Sequence, residues 1–224
     1  GSMHLFDASK RFMGGHAIVG GQLPLAAGLA LSQQYDNKDG ITICFFGDGS
    51  TNQGIYHETL NLAAVWNLPI LFFLENNMYG MGSSIERVRA GGLDFFPAMN
   101  TYEIPSMEVD GMDVLAVREA TELAREKILK EKRPFFIESK TFRFVGHSYA
   151  DGQKYRNQDE VIKWEQKDPI IIYPKKLIDM KITTNDEIND IKSEVDNVIS
   201  DAVKFANESE EPSLNEIFDD IIAE

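Results

Sequence analysis

The sequence predicts an α/β protein with a mainly parallel sheet and helices on both faces, and three patterns predict it. Residues 41–46 and 69–74 are short apolar runs rich in β-branched and aromatic side chains, the length and composition of buried parallel strands. Between them, Leu60, Ala63, Ala64 and Trp66 recur at helical spacing, which gives the order strand, helix, strand. Two glycine-rich stretches, residues 14–21 and 77–84, lie beside predicted element ends, where the ligand loops of parallel sheets sit.

The remaining elements follow in chain order. Residues 25–31 alternate small and large apolar side chains without charge, as in a helix packed closely on a sheet. Residues 114–130 form an amphipathic helix pattern with Leu115, Leu123 and Ile128 among its apolar positions, and Pro134 stops it. Residues 135–144 then read as a strand, and residues 145–155 as a polar loop carrying His147, Asp151 and Gly152. Residues 185–206 place Ile188, Ile191, Val195, Val198, Ala202 and Phe205 on one helical stripe. Residues 213–224 repeat that pattern with Leu214, Ile217, Phe218 and Ile221. The organisation expected is one domain over 1–224, with 185–224 as a C-terminal helical segment.

Composition narrows the function classes. The 224 residues are 43% hydrophobic and 26% charged, which is globular rather than disordered usage. Lys and Arg number 22 against 36 Asp and Glu, a formal charge of −14, and the pI is about 4.7. Phosphate contacts need clustered cations, so nucleic acid is not an expected partner. The single cysteine, Cys44, excludes a disulfide within the chain and any CxxC metal site, and reads as a small core side chain. No apolar run approaches the roughly 20 residues of a membrane span. The opening residues do not read as a signal peptide, so an intracellular domain without a membrane partner is expected.

The chemistry concentrates between Gly47 and Asn77. Gly47-Asp48-Gly49 ends one predicted strand and Asn76-Asn77 ends the next, about thirty residues on; in a parallel sheet both tips share one edge. An Asp carboxylate, an Asn side-chain oxygen and a loop carbonyl are hard oxygen ligands, suited to magnesium or calcium on a diphosphate rather than to zinc. Gly49 suits a close backbone approach, and the following helix can turn its N-terminus toward a phosphate. The same dipeptides also suit a tight turn and an asparagine turn cap, and nothing in them alone decides between the two readings.

The longer pattern resembles a known family. The Gly-Asp-Gly to Asn-Asn span resembles the thiamine diphosphate-binding motif. Residues 47–54 (Gly-Asp-Gly-Ser-Thr-Asn-Gln-Gly), 61–69 (Asn-Leu-Ala-Ala-Val-Trp-Asn-Leu-Pro) and 75–82 (Glu-Asn-Asn-Met-Tyr-Gly-Met-Gly) resemble the alpha subunit of the decarboxylating component of pyruvate dehydrogenase. Residues 15–24 and 146–151, followed by Tyr155-Arg156, do so too, and the five motifs run collinearly through essentially the whole chain. The resemblance implies a thiamine diphosphate-binding fold and oxidative decarboxylation of pyruvate, with acetyl transfer to a lipoyl group on the acyltransferase. By matching position, Asp48 and Asn77 bind magnesium through side chains and Tyr79 through its backbone carbonyl. Gly49 and Ser50 line the diphosphate, and Ala17 and Val19 meet the aminopyrimidine ring through backbone groups. His147 lies near the diphosphate and assists transfer to lipoyl, and His4 lies near the substrate carboxylate. Ser148 matches a serine that eukaryotic relatives phosphorylate.

The resemblance also implies partners: a beta subunit of the same component, and the lipoyl-bearing acyltransferase. Relatives carry an upstream Tyr-Arg pair not found in this sequence, and a ring-activating glutamate from the beta subunit. The chain is therefore expected to be an incomplete alpha subunit and silent alone. The expected compartment is the bacterial cytoplasm, or the mitochondrial matrix for a eukaryotic chain. Rivals are the same fold acting on acetoin or a branched-chain 2-oxo acid, and a non-catalytic assembly subunit. A nicotinamide-binding domain fits poorly, because no GxGxxG follows a predicted first strand. His16 and His57 read as loop or helix-surface residues, Asp151 as a bonding group within its own loop, and Tyr155-Arg156 as that loop's far anchor.

Overall fold

The computed structural model describes residues 3–219. The chain divides into two compact units, Gly1–Ile170 and Ile171–Glu224, a division ahead of the helical segment expected from residue 185.

In the first unit, α1 (Gln22–Tyr35) buries Leu23, Ala26, Ala27 and Ala30. It outruns the predicted 25–31 at both ends. Pro24 is tolerated in the first turn, where a backbone N–H has no intrahelical partner, and polar Gln33 and Gln34 extend the last turn. β1 (Thr42–Gly47) leads through a 3-10 turn, Asp48–Asn52, into α2 (Gly54–Val65). Asn67, in the left-handed region at φ 53°, follows the helix end, and β2 (Ile70–Asn76) begins three residues later. A small antiparallel hairpin, β3 (Tyr79–Gly80) and β4 (Ser83–Ser84), precedes the single turn α3 (Ile85–Val88). β5 (Ser106–Asp110), α4 (Val114–Glu131), β6 (Phe135–Lys140) and α5 (Gln158–Glu165) complete the unit's regular elements.

The four long strands form one sheet in the order β1-β2-β6-β5, every neighbouring pair parallel. On one face Cys44, Phe46, Ile70, Phe72, Leu74 and Phe136 pack with the buried side chains of α1 and α2. On the other, Leu71, Phe73, Val109, Phe135 and Ile137 pack with Ala120, Ala124 and Ile128 of α4. Helices thus cover both faces, as the sequence predicts. β2 is the spine: residues 70–74 are all buried, each large apolar side chain contributing about 1.5–3 kcal/mol. β1 and β2 pair in register from Thr42↔Ile70 to Gly47↔Glu75, so Asp48 and the asparagine pair emerge side by side.

Within the sheet, two strands differ from expectation. The strand predicted over 135–144 ends at Lys140, because its neighbours β2 and β5 end opposite it at Asn76 and Asp110. Beyond that point the aromatic side chains serve packing instead, and Phe142 stacks on Trp164 at 5.3 Å and 2°. β5 escapes the pattern because it is a polar edge strand in which only Val109 is buried.

The second unit holds most of α6 (Pro169–Asp179), α7 (Asn185–Glu208) and a 3-10 turn, Leu214–Phe218. α7 opens on a capping box, in which Thr184 Oγ1 accepts from Glu187 N and Glu187 accepts from Thr184 N at 2.9 Å. Its apolar stripe, including Val195, Val198 and Phe205, is exposed. Of the apolar positions expected in 213–224, Ile221 lies outside the described residues. No helix among the described residues is long and apolar enough to cross a membrane.

Candidate cofactor and metal site

At the carboxyl edge of the sheet the β1 tip meets the turn after β2. Asp48 is buried, and burial raises its carboxyl from the ordinary 3.8 to about 6, against the opposing pull of backbone N–H groups, Asn77's included, and of the Arg143 charge. No salt bridge reaches Asp48 among the described residues. An ionised carboxylate held out of water without a cation is costly. Ser50 is also buried, and Thr51 Oγ1 donates to the Asp48 carbonyl at 2.7 Å.

The asparagine pair builds two consecutive turns. Asn76 Oδ1 accepts from Met78 N at 3.1 Å, and Asn77 Oδ1 accepts from Tyr79 N at 3.0 Å. The capping role open in the sequence is therefore present, and it leaves the second lone pair of Asn77 Oδ1 available to a cation. Gly49 packs against Gly80: a Cβ on either would come within 3.2–3.3 Å of the other's Cα. What the structure shows Gly49 doing is admitting the hairpin backbone. Tyr79 donates its hydroxyl to Glu160 Oε2 at 2.7 Å, which ties the hairpin to α5; burial and that carboxylate raise the phenol to about 12.

The loop after β6 closes over the hairpin. Arg143 donates to the Met81 carbonyl at 2.8 Å and to the Tyr155 hydroxyl at 3.0 Å, and lies 3.4 Å from His147 Nδ1. Asp151 accepts from His147 N, Tyr155 Oη and Gln153 N at 2.6–2.8 Å, and these bonds, Tyr155's first, hold its carboxyl down at about 2. Arg156 donates to the carbonyls of Arg143, Phe144 and Val145. Asp151 and the Tyr155-Arg156 pair thus act within the loop as expected. The His147 side chain is exposed at its surface.

The amino-terminal candidates form a second group. His4 Nδ1 lies 2.9 Å from the Gly15 carbonyl, which joins the opening segment to the 14–21 stretch. Ala17 and Val19 are exposed in the turn before α1. Gly20, at φ +82°, abuts Gln53 and Ile55, so this stretch lies beside the start of α2. No hydrogen bond joins Ala17 or Val19 to Asp48 among the described residues. Arg143 is a residue of this loop that sequence reasoning missed. Its signal was a lone cation between two phenylalanines just past a strand. A cleft of about 490 Å³ is lined by Phe45, Phe73, Phe142 and Phe144 among others, and neither Asp48 nor Asn77 lines it.

Another acidic group differs in its charge balance. Oxygens of Asp94, Glu108 and Glu138 converge within 4.8 Å. Lys140 Nζ already sits among them, at 2.8 Å from Asp94 and from Glu138 and 3.7 Å from Glu108. Those three carboxylates share an ion-pairing lysine; Asp48 has backbone N–H groups and the field of Arg143, but no ion pair among the described residues. Asp48, Asn77 and the Tyr79 main chain are the hard-oxygen set that suits a magnesium-type ion.

The fold and this edge define an α/β protein whose parallel strands bring Asp48 and the Asn76-Asn77 turn side by side, next to a hairpin held by a histidine-bearing loop. The chain belongs to the dehydrogenase E1 component family, whose model matches residues 1–215. Among curated relatives, it is 42% identical over 99% of its length to the pyruvate dehydrogenase E1 component subunit alpha of Rhizobium meliloti, covering 64% of that protein. It is 37% identical to the subunit of the same name from Rickettsia felis, covering 68% of it, and 44% identical to the testis-specific mitochondrial form of Homo sapiens, covering 55%. The chain therefore spans a little over half to two thirds of the length of these relatives.

Proposed function

We propose that this chain is the alpha-subunit portion of a pyruvate dehydrogenase E1 component, which decarboxylates pyruvate oxidatively and transfers the acetyl group to a lipoyl group on the acyltransferase. The observation that carries the reading is Asp48: a buried carboxylate without an ion pair among the described residues, beside Asn77, at the joined ends of two parallel strands. Such a donor set fits magnesium, which would neutralise both the carboxylate and a diphosphate. In this reading Asp48 and Asn77 hold the metal through side chains and Tyr79 through its carbonyl. Gly49 and Ser50 contribute backbone at the diphosphate, and Ala17 and Val19 offer backbone groups to the aminopyrimidine ring. Thiamine diphosphate, when bound, supplies the nucleophilic carbon and the electron sink. His4 orients the substrate carboxylate, and His147 moves a proton during acetyl transfer to lipoyl. The Arg143–Asp151–Tyr155 network holds the backbone around His147 while its ring faces outward to a carrier-borne group.

A beta subunit completes the site and the acyltransferase receives the product. The chain works in the cytoplasm if bacterial and in the mitochondrial matrix if eukaryotic. The names of the relatives favour pyruvate over acetoin or branched-chain 2-oxo acids. The test is decarboxylation of these substrates by the purified chain with thiamine diphosphate and magnesium, alone and with its beta partner. The reading predicts silence alone and a preference for pyruvate in the assembly. Preference for another substrate would replace pyruvate, and an inactive assembly that binds no cofactor would make the chain an assembly subunit.

A further inference from the structure

We propose that Glu138 is a positioning residue for the metal-bearing turn: through Asn76 it fixes the conformation in which residues 77–79 present their oxygens to a divalent cation. The inference rests on the cofactor reading above.

Glu138, on β6, is fully buried, as is Asn76 at the end of β2. Its two oxygens take four donors. Oε2 accepts from Phe95 N at 2.6 Å and Phe96 N at 2.9 Å; Oε1 accepts from Asn76 Nδ2 at 2.6 Å and meets Lys140 Nζ at 2.8 Å. An ionised carboxylate only accepts hydrogen bonds. Asn76 must therefore turn its NH₂ toward Glu138, which leaves its oxygen facing the other way. There it takes Met78 N at 3.1 Å.

That bond matters because Met78 is left-handed, at φ 71°. For a residue with a Cβ that region is sterically disfavoured, so something must hold it. The Asn76–Met78 bond does so, and the Asn77–Tyr79 bond continues the turn. A carboxylate 62 positions away in sequence from Asn76 thus selects the amide orientation that shapes the Asn77 and Tyr79 backbone.

Substitution separates this role from simple packing. Glu138→Gln keeps the shape. With its oxygen on Phe95 and Phe96, its NH₂ faces the NH₂ of Asn76, and relief by an Asn76 flip costs the bond to Met78. Asn76→Asp alone sets two carboxylates together. The double variant N76D/E138Q restores a matched pair of reversed polarity: the carboxylate introduced at position 76 accepts both from the amide introduced at position 138 and from Met78 N. The Leu93 carbonyl loses a 3.3 Å donor in that variant, and Lys140 Nζ faces an amide NH₂ where it met Oε1 at 2.8 Å, in the double variant as in E138Q; both limit the recovery.

The experiment titrates magnesium at saturating thiamine diphosphate, by calorimetry, on the full alpha chain assembled with its beta partner; metal-free melting is recorded alongside. Magnesium affinity should fall about tenfold or more in E138Q and recover at least about threefold in N76D/E138Q, out of step with the melting temperatures. E138Q with wild-type affinity overturns the assignment, as does a double variant that binds no tighter than E138Q or does not fold. Absence of magnesium-dependent binding in the wild type overturns the cofactor reading and this assignment together.

Discussion

Gly49 and Gly80 meet backbone to backbone, each placed so that a Cβ would lie 3.2–3.3 Å from the other's Cα. This contact seats the β3–β4 hairpin on the turn that carries Asp48, and neither partner is a side chain able to swing away. Gly80→Ala should therefore destabilise the protein by about 1–3 kcal/mol, the usual cost of overpacking. It should also weaken magnesium-dependent cofactor binding, because the hairpin must shift from the Asp48 turn. Denaturant midpoints check the first effect and calorimetric titration the second; an unchanged midpoint contradicts the contact.

Asp48 is raised by burial to about 6, so its ionised form is disfavoured in the metal-free fold. For a raised carboxyl, the favourable contribution is full below the unfolded value of about 4 and is lost as pH rises through about 6. Asp48→Asn removes the penalty, and the metal-free protein should gain on the order of 2–3 kcal/mol at pH 7.5, a gain that disappears near pH 4. Denaturant unfolding at both pH values is the check. A loss of stability at pH 7.5 would show that the carboxylate is better satisfied than its surroundings indicate.

Asp151 behaves oppositely. Its carboxyl is held at about 2 by Tyr155, His147 N and Gln153 N, so the support it gives the loop is present above the ordinary 3.8 and lost as pH falls through about 2. Residues 143–156 should resist pepsin at pH 4 and be cut as pH approaches 2, whereas Asp151→Ala should be cut already at pH 4. Equal cleavage of the two proteins at pH 4 would remove Asp151 as the loop's organiser.

His147 is exposed, with its backbone N–H fixed by Asp151 and its ring near Arg143. His147→Ala should lower overall complex activity, which passes through lipoyl, more than decarboxylation read with an artificial electron acceptor. The difference should be at least about tenfold, since a positioned proton-transfer group typically contributes about 10²–10⁴-fold. Equal losses in the two assays would place the residue's role at the cofactor instead.

The sheet core was legible because β1, β2 and the helix between them carry uninterrupted apolar patterns, and the register follows once the strands are parallel. Asp48 and Asn77 were legible as a pair for the same reason. The polar edge strand β5 and the short helices α5 and α6 were not, since little of their surface is buried in the described residues. Arg143 and Glu138 were also hidden. Each acts through partners far along the chain, Met81 for one and Asn76 for the other, and no local spacing announces such a bond. The opening segment gave the least, for its His4–Gly15 contact brings together loop residues without periodicity.

The most direct measurement is the affinity of thiamine diphosphate for the alpha chain assembled with its beta partner, with and without magnesium, in the wild type and in Asp48→Ala. Binding should depend on magnesium in the wild type and be lost in the variant, whose melting temperature stays at or above the wild-type value. Equal affinity in the two proteins with magnesium present would contradict the assignment of the strand-end oxygens to the metal.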